Sequence, residues 1–264
     1  MIRALVKDNL GWILGYSIGT SLYIFMIAAI YPSIAETGLI DAKLDSLPKE
    51  LLDIFQYDPA TMMDSVLNIL SGNYYGLIFQ VVALLFALTM TSRLLALPID
   101  SGELMLYLSA PISRRTYVMA AGSILVGASF LLIGLNGAFL LLADILWSLD
   151  LNYSLVSALL INSFSLLVAL GAIALFFATL FNESGKSYML GAAVFGLMVV
   201  GVIVSGLSSN LEWMKAISLF TLFDANGILK DQSNWVWHSS LLLGIAVVFF
   251  ILSLFIFKRR NLTL

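Results

Sequence analysis

The sequence has no cysteine and a single histidine, His238, among its 264 residues. The absence of cysteine excludes disulfides, thiolate catalysis and metal sites with cysteine ligands. One histidine also excludes catalytic and metal sites that need two. Charged residues make up only 11% of the chain, whereas they make up about 25% of an ordinary soluble domain. Because 61% of the residues are hydrophobic, too few polar side chains remain to cover a soluble globule, and the composition predicts a membrane protein.

The few charges are gathered between six long runs without Asp, Glu, Lys or Arg. A helix needs about 20 apolar residues to cross the hydrocarbon layer of a membrane, and each run contains such a stretch. The net charge of −3 argues against nucleic acid as a partner, because proteins that bind it are usually basic. We predict an all-α integral membrane protein with one transmembrane domain over 1–264 and spans at about 12–31, 74–95, 117–143, 153–181, 187–208 and 236–257.

The cations indicate how these spans are oriented. Alternate loops and termini carry nine Lys and Arg residues, and the remaining loops carry four. Loops on the cytoplasmic side of a membrane are enriched in Lys and Arg. Both termini are therefore expected in the cytoplasm.

The outer loop at 32–73 contains a second helical pattern. Asp58 and Pro59 are typical of a helix N-terminus, and apolar residues with helical spacing continue to Leu70. One interpretation is an amphipathic helix that lies on the outer membrane surface or covers the bundle. The other is a bent extension of the second span.

The inner loop at 98–116 contains a short apolar helix. Asp100 or Ser101 can cap it, Glu103 lies in its first turn, and Pro111 ends it. One interpretation is an interfacial helix with the nearby arginines on anionic lipid heads. The other is a plug that fits a groove on a cytoplasmic partner.

The same loop resembles the first cytoplasmic loop of ABC-2 type permease subunits. In that family an acidic residue and a glycine precede a Leu-rich stretch, Pro, a small residue, Ser and Arg. Here Gly102 precedes Glu103, and Ala121 stands near the position of the usual downstream Lys. The resemblance extends to the six spans, the segment at 218–223 and the basic tail at 257–262. The residues that it assigns to coupling are Asp100, Gly102, Glu103, Leu104, Leu106, Leu108, Pro111, Ser113, Arg114 and Arg115.

The resemblance implies one subunit of an ATP-driven exporter in a prokaryotic cell membrane. Two permease chains, as a homodimer or heterodimer in membrane lipid, would work with two separate ATPase subunits, and the helix in the inner loop would be the coupling helix. ATP and Mg would bind to the ATPase. We expect no cofactor, no metal and no enzymatic activity in this chain, since Gly185-Lys186-Ser187 lacks the first glycine of a phosphate-binding loop and has Leu180 there.

Two other function classes stay open. A secondary transporter or channel would need ionisable groups near the membrane midplane, and a membrane scaffold would bind partners without transport. Asn136 and Asn162 lie deep in their spans. Their default role is hydrogen bonding between helices, and a place on the substrate path is the weaker alternative. Gly11, Gly15 and Gly19 recur every four residues, which favours close helix packing within the subunit over a homodimer contact.

Overall fold

A computed structural model describes residues 1–35, 65–108, 113–207 and 213–259. Helices account for 90% of the structure, and the described residues contain no strand. The elements in chain order are α1 (Ile2–Ala35), α2 (Val66–Asp100), α3 (Glu103–Leu108), α4 (Arg114–Trp147), α5 (Tyr153–Leu180), α6 (Ser184–Leu207), α7 (Trp213–Ile217), a 3₁₀ turn (Leu219–Leu222), α8 (Ala225–Leu229) and α9 (Trp235–Arg259).

Six of these helices, α1, α2, α4, α5, α6 and α9, are long and apolar enough to cross a membrane. This confirms an α-helical protein of the multi-pass membrane class. Several helices exceed the predicted spans; α1 and α4 each have 34 residues, or about 51 Å at 1.5 Å per residue. They therefore extend beyond a hydrocarbon layer of about 30 Å, because charge-free runs mark the apolar part of a helix and miss its polar ends.

Helix α5 lies at the centre of the bundle. Within its most apolar window 78% of the residues are buried, against 22% for α9 and 28% for α6. It packs most extensively on α9 and also contacts α2, α4 and α6, while α1 packs mainly on α4. Helix α5 therefore forms the core, and the other helices present one face to it and one to lipid.

Helix α2 contains two π-helical stretches, Ser71–Ile78 and Ser92–Ala96, and is bent in the first of them. In the first stretch Gly76 leaves helical geometry, with φ −64° and ψ −105°. Between the two stretches Phe79–Thr91 is a regular α-helix. In the structure Val66–Leu70 is the first part of α2 and runs directly into the bend. The rest of the predicted outer helix lies outside the described residues.

The segment that precedes α9 folds back into the bundle. Leu219, Phe220 and Phe223 are buried, and the ring of Phe223 lies 5.1 Å from that of Phe79. Ser71 donates a hydrogen bond of 2.6 Å to the side-chain oxygen of Asn226. This segment therefore covers the bend of α2.

The two ends of the bundle differ in charge. One end, here called the basic end, carries Arg3, Lys7, Arg93, Arg114, Arg115, Lys186, Lys258 and Arg259 among its described residues. The opposite end, here called the acidic end, has only Lys215 and Lys230 as described cations, with four carboxylates. The helix order thus brings the cations together as the sequence pattern predicts.

Candidate functional site: the basic end

Helix α3 is joined to α2 by a tight turn. Gly102 has a φ of +75°, a left-handed conformation that glycine adopts without steric cost. Its amide donates to the carbonyl of Ile99 at 3.3 Å, which ends α2. The hydroxyl of Ser101 accepts a hydrogen bond of 3.4 Å from the amide of Glu103 and so caps α3. A glycine just after the end of a helix is a signal for such a turn, and it explains why Gly102 precedes Glu103.

Asp100 has a different role from the predicted cap. Its carboxylate accepts hydrogen bonds from the Ser184 amide at 3.1 Å and from the Ser184 hydroxyl at 2.5 Å. It is the last residue of α2, so it caps α6 from a distance and ties α2 to that helix. Of the two predicted caps for α3, Asp100 and Ser101, the structure therefore has Ser101 in that role.

The leucines of α3 lie on different faces. Leu104 is only 2% exposed and packs in the core of this chain, whereas Leu106 is 76% exposed and Met105 39%. Leu104 and Leu106, which the resemblance both assigns to coupling, therefore do not share a partner-facing surface, because two residues of helix rotate a side chain by about 200°. The exposed apolar surface of α3 is formed by Met105 and Leu106.

Tyr107 holds α3 against the bundle. Its ring lies 5.6 Å from that of Tyr117 in α4. Burial raises the pKa of Tyr107, and the nearby carboxylates of Asp8 and Glu103 raise this pKa further. Leu104 and Tyr107 together fix one side of α3, while Leu106 points away.

Three further contacts link the helices near α3. Arg93 donates to the buried side chain of Asn9 at 2.9 Å and lies over the ring of Trp12 at 5.2 Å. The Tyr117 hydroxyl donates to the carbonyl of Leu94 at 3.1 Å. All three contacts involve the second π-helical stretch of α2, so α1 and α4 hold α2 where it approaches α3.

The remaining predicted coupling residues flank α4. Ser113 caps that helix, with its hydroxyl 3.2 Å from the Thr116 amide. Arg115 and Glu103 are exposed, and Arg114 is half-buried. The side chain of Leu108 and the whole of Pro111 lie outside the described residues, so the predicted end of α3 at Pro111 stays a prediction.

Asn136 and Asn162 are fully buried. The side chain of Asn136 both accepts and donates hydrogen bonds, whereas that of Asn162 only donates to the described residues. The oxygen of Asn136 accepts from Thr20 and Ser21 at 2.9 Å each, and its amide donates to the Tyr74 hydroxyl at 3.1 Å. This network joins α1, α2 and α4. Asn162 donates to the carbonyl of Leu222 at 3.2 Å and to Ser239 at 3.1 Å. Both asparagines therefore have the interhelical contacts expected as their default role.

Gly11, Gly15 and Gly19 pack differently from the expectation. No atom of the described residues lies within 4 Å of the position that a Cβ would take at any of them. The three glycines lie on an exposed face of α1, so the described residues show no close helix packing at this face. Close approach occurs at other glycines: a Cβ at Gly191 would lie 2.5 Å from a methyl group of Leu88.

The described residues contain no group of three or more His, Asp or Glu side chains that could hold a metal ion. The site at the basic end thus consists of an anchored apolar helix with cations around it. No known family model and no curated protein sequence matches this chain.

Proposed function

We propose that the chain is the transmembrane permease subunit of an ATP-driven ABC exporter, with α3 as the helix that couples it to a separate ATPase subunit. One observation carries the proposal: a short helix at the basic end is fixed on one side and exposes Leu106 on the other. Met105 and Leu106 form the exposed apolar face of this helix, and helices with such a face dock into apolar grooves of partner proteins. A groove on an ATPase would bury it.

The contacts around α3 support a role in transmitting force. Leu104 and Tyr107 attach α3 to the bundle, so a push on Leu106 moves the helix as one body. From α3 the connection continues directly into α2 through the turn at Gly102. Asp100 extends it to α6 by its bonds to Ser184. Motion at the basic end would thereby reach several transmembrane helices at once.

Helix α2 would carry this motion to the acidic end. Its regular middle part, Phe79–Thr91, is bounded by the two π-helical stretches, and such stretches often occur at functional positions. The first π-helical stretch contacts the segment that precedes α9 through the hydrogen bond between Ser71 and Asn226. Tilting the middle part would separate this pair and open the acidic end, a change between discrete packed states. Asn136 and Asn162 lie beside this region and remain candidates for the substrate path.

The test is co-purification of ATPase activity with the tagged full-length chain from its native membrane. Wild-type protein should recover an ATPase subunit with vanadate-sensitive ATP hydrolysis. Burial of one leucine contributes about 1.5–3 kcal/mol, and an unpaired carboxylate in its place also costs desolvation. Leu106→Asp should therefore reduce recovery at least tenfold.

Ile2→Asp is the matched control, because Ile2 is 53% exposed at the same end of the bundle and lies outside α3. This variant should recover the ATPase like wild type. Equal recovery with Leu106→Asp, at matched amounts of folded chain, would contradict a coupling role for α3. A wild-type chain that transports without any ATPase would favour a secondary transporter.

A further inference from the structure

A groove with a volume of about 600 Å³ lies between α4, α5 and α9. This volume falls within the roughly 300–1,000 Å³ that sites for small molecules usually have. On α4 it begins at Gly122, eight residues after Arg114, and on α9 it ends at Phe250, nine residues before Arg259. It therefore lies in the half of the bundle nearer the basic end. Val126 and Val247 on its rim are 41% and 57% exposed, so the groove opens sideways towards lipid.

The groove is chemically suited to hydrocarbon. Twelve residues line it, and Ser123 is the one polar side chain among them. The hydroxyl of Ser123 already donates to the carbonyl of Met119 at 2.8 Å. A polar ligand would find only the Ser123 oxygen as a side-chain partner among these twelve residues, whereas an alkyl chain would contact apolar surface almost throughout.

Two glycines give the groove its shape. A Cβ at Gly122 would lie 2.3 Å from the ring of Phe250, and a Cβ at Gly171 would lie 2.3 Å from a methyl group of Leu125. Both distances are shorter than real Cβ contacts, so a side chain at either glycine would displace Phe250 or Leu125. The three helices therefore approach closely at its floor, while the side chains on either side form its walls.

Two cations stand in line with the groove at the basic end. Arg115 precedes Gly122 by seven residues, which is about two turns, and so lies on the same face of α4 about 10 Å away. Lys258 follows Phe250 by eight residues on α9, about 12 Å away. Both side chains are exposed. The groove thus has an apolar interior and positive charge on the side of the membrane surface.

These distances match the dimensions of one lipid leaflet. From Leu243 to Phe250 the groove extends about 10 Å along α9, so its far end lies about 22 Å from Lys258. One leaflet has about 15 Å of hydrocarbon and about 5–8 Å of headgroup region. A lipid with its phosphate at the two cations would therefore reach the whole groove with an acyl chain.

We propose that this groove binds one acyl chain of an anionic phospholipid from the leaflet at the basic end, with the lipid phosphate at Arg115 and Lys258. The site does not depend on the transport function proposed above, because it requires neither α3 nor an ATPase. Selectivity comes from the headgroup, since lipid tails are as apolar as the groove itself.

The experiment is native mass spectrometry of the purified full-length chain, titrated with phosphatidylglycerol and with phosphatidylcholine of identical acyl chains. One phosphatidylglycerol should bind in preference to phosphatidylcholine. A basic residue near an anionic lipid strengthens binding by roughly fivefold, so Arg115→Gln with Lys258→Gln should weaken phosphatidylglycerol about 25-fold and abolish the preference.

Filling the groove is the second test. Ala172→Phe, a change at a lining residue that is 6% exposed, should abolish the preferential site. Val247→Trp, at the more exposed rim, should do the same if Ala172→Phe does not fold. Ala193→Phe is the control, because Ala193 is exposed on α6 and outside the groove. Preferential binding that persists in Val247→Trp would overturn the proposal.

A second copy of the chain is the competing occupant. The chain has no cysteine, so Val247→Cys would be its one thiol. Under the proposal this variant stays monomeric after oxidation in membranes. Efficient disulfide-linked dimers would instead place a second chain at the groove and contradict a lipid site.

Discussion

Asn136 is the residue whose replacement tests the packing of the membrane-spanning core most sharply. It is fully buried in α4 and makes three side-chain hydrogen bonds to α1 and α2. Asn136→Leu keeps the number of side-chain heavy atoms and removes all three bonds. The change therefore removes the polar contacts without opening a cavity.

The expected loss is about 3–5 kcal/mol. Side-chain hydrogen bonds between transmembrane helices contribute about 0.6 kcal/mol each on average, so three contribute about 2 kcal/mol. The hydroxyl groups of Thr20 and Ser21 can each turn their one hydrogen to a carbonyl of their own helix, so they are not left without partners. The Tyr74 hydroxyl loses the amide that donates to it, and an unsatisfied buried group costs about 1–3 kcal/mol more.

The assay is reversible unfolding of the purified chain in mixed micelles, followed by circular dichroism. Ser123→Ala is the control: Ser123 lies on the same helix, is exposed, and donates only to a carbonyl of its own helix. That variant should change the free energy of unfolding by less than about 0.5 kcal/mol. A loss below about 0.5 kcal/mol for Asn136→Leu would show that the network does not hold these helices together.

Three further predictions concern the two ends of the bundle. Leu104→Ala should lower the free energy of unfolding by about 2–5 kcal/mol in the same assay. Leu106→Ala should change it by less than about 0.5 kcal/mol. Equal effects would contradict the placement of these leucines on opposite faces of α3. Asp100→Ala should speed hydrogen exchange in the first turn of α6, because its bonds to the Ser184 backbone and hydroxyl are lost; unchanged exchange would remove the link between α2 and α6. The basic end is expected in the cytoplasm, so a single cysteine at Ser154 should react with an impermeant reagent in intact cells. A single cysteine at Gly185 should react only after the membrane is permeabilised, and the reverse pattern would invert the topology.

The six long helices were predictable because their signal is local. Charge-free runs of sufficient length occur six times in the chain, and the structure has a long apolar helix at each. The bend of α2 was not predictable from such a local signal. Gly72 and Gly76 flank two buried tyrosines, but the geometry at Gly76 depends on the segment around Phe223, which is far away in sequence.

The candidate site at the basic end was predictable in its position and less so in its contacts. The partner of Asp100 is Ser184, 84 residues away, and no local pattern indicates that pairing. The opposite faces of Leu104 and Leu106 follow from helix geometry alone, since residues two apart do not share a face. Which of the two is buried depends on how the turn at Gly102 sets α3 against Tyr117. The glycines of α1 show the same limit, because their spacing indicates a smooth face but not what covers it.

Cross-linking from α3 to an ATPase subunit tests the central proposal most directly. The chain has no native cysteine, so Leu106→Cys and Leu104→Cys each give one defined attachment point for a short thiol-to-photoreactive reagent in native membranes. The proposal predicts that Leu106→Cys cross-links to an ATPase subunit and that Leu104→Cys, buried within the chain, does not. If Leu106→Cys is fully modified by the reagent and captures only lipid, α3 lies on the membrane surface and the coupling role is contradicted.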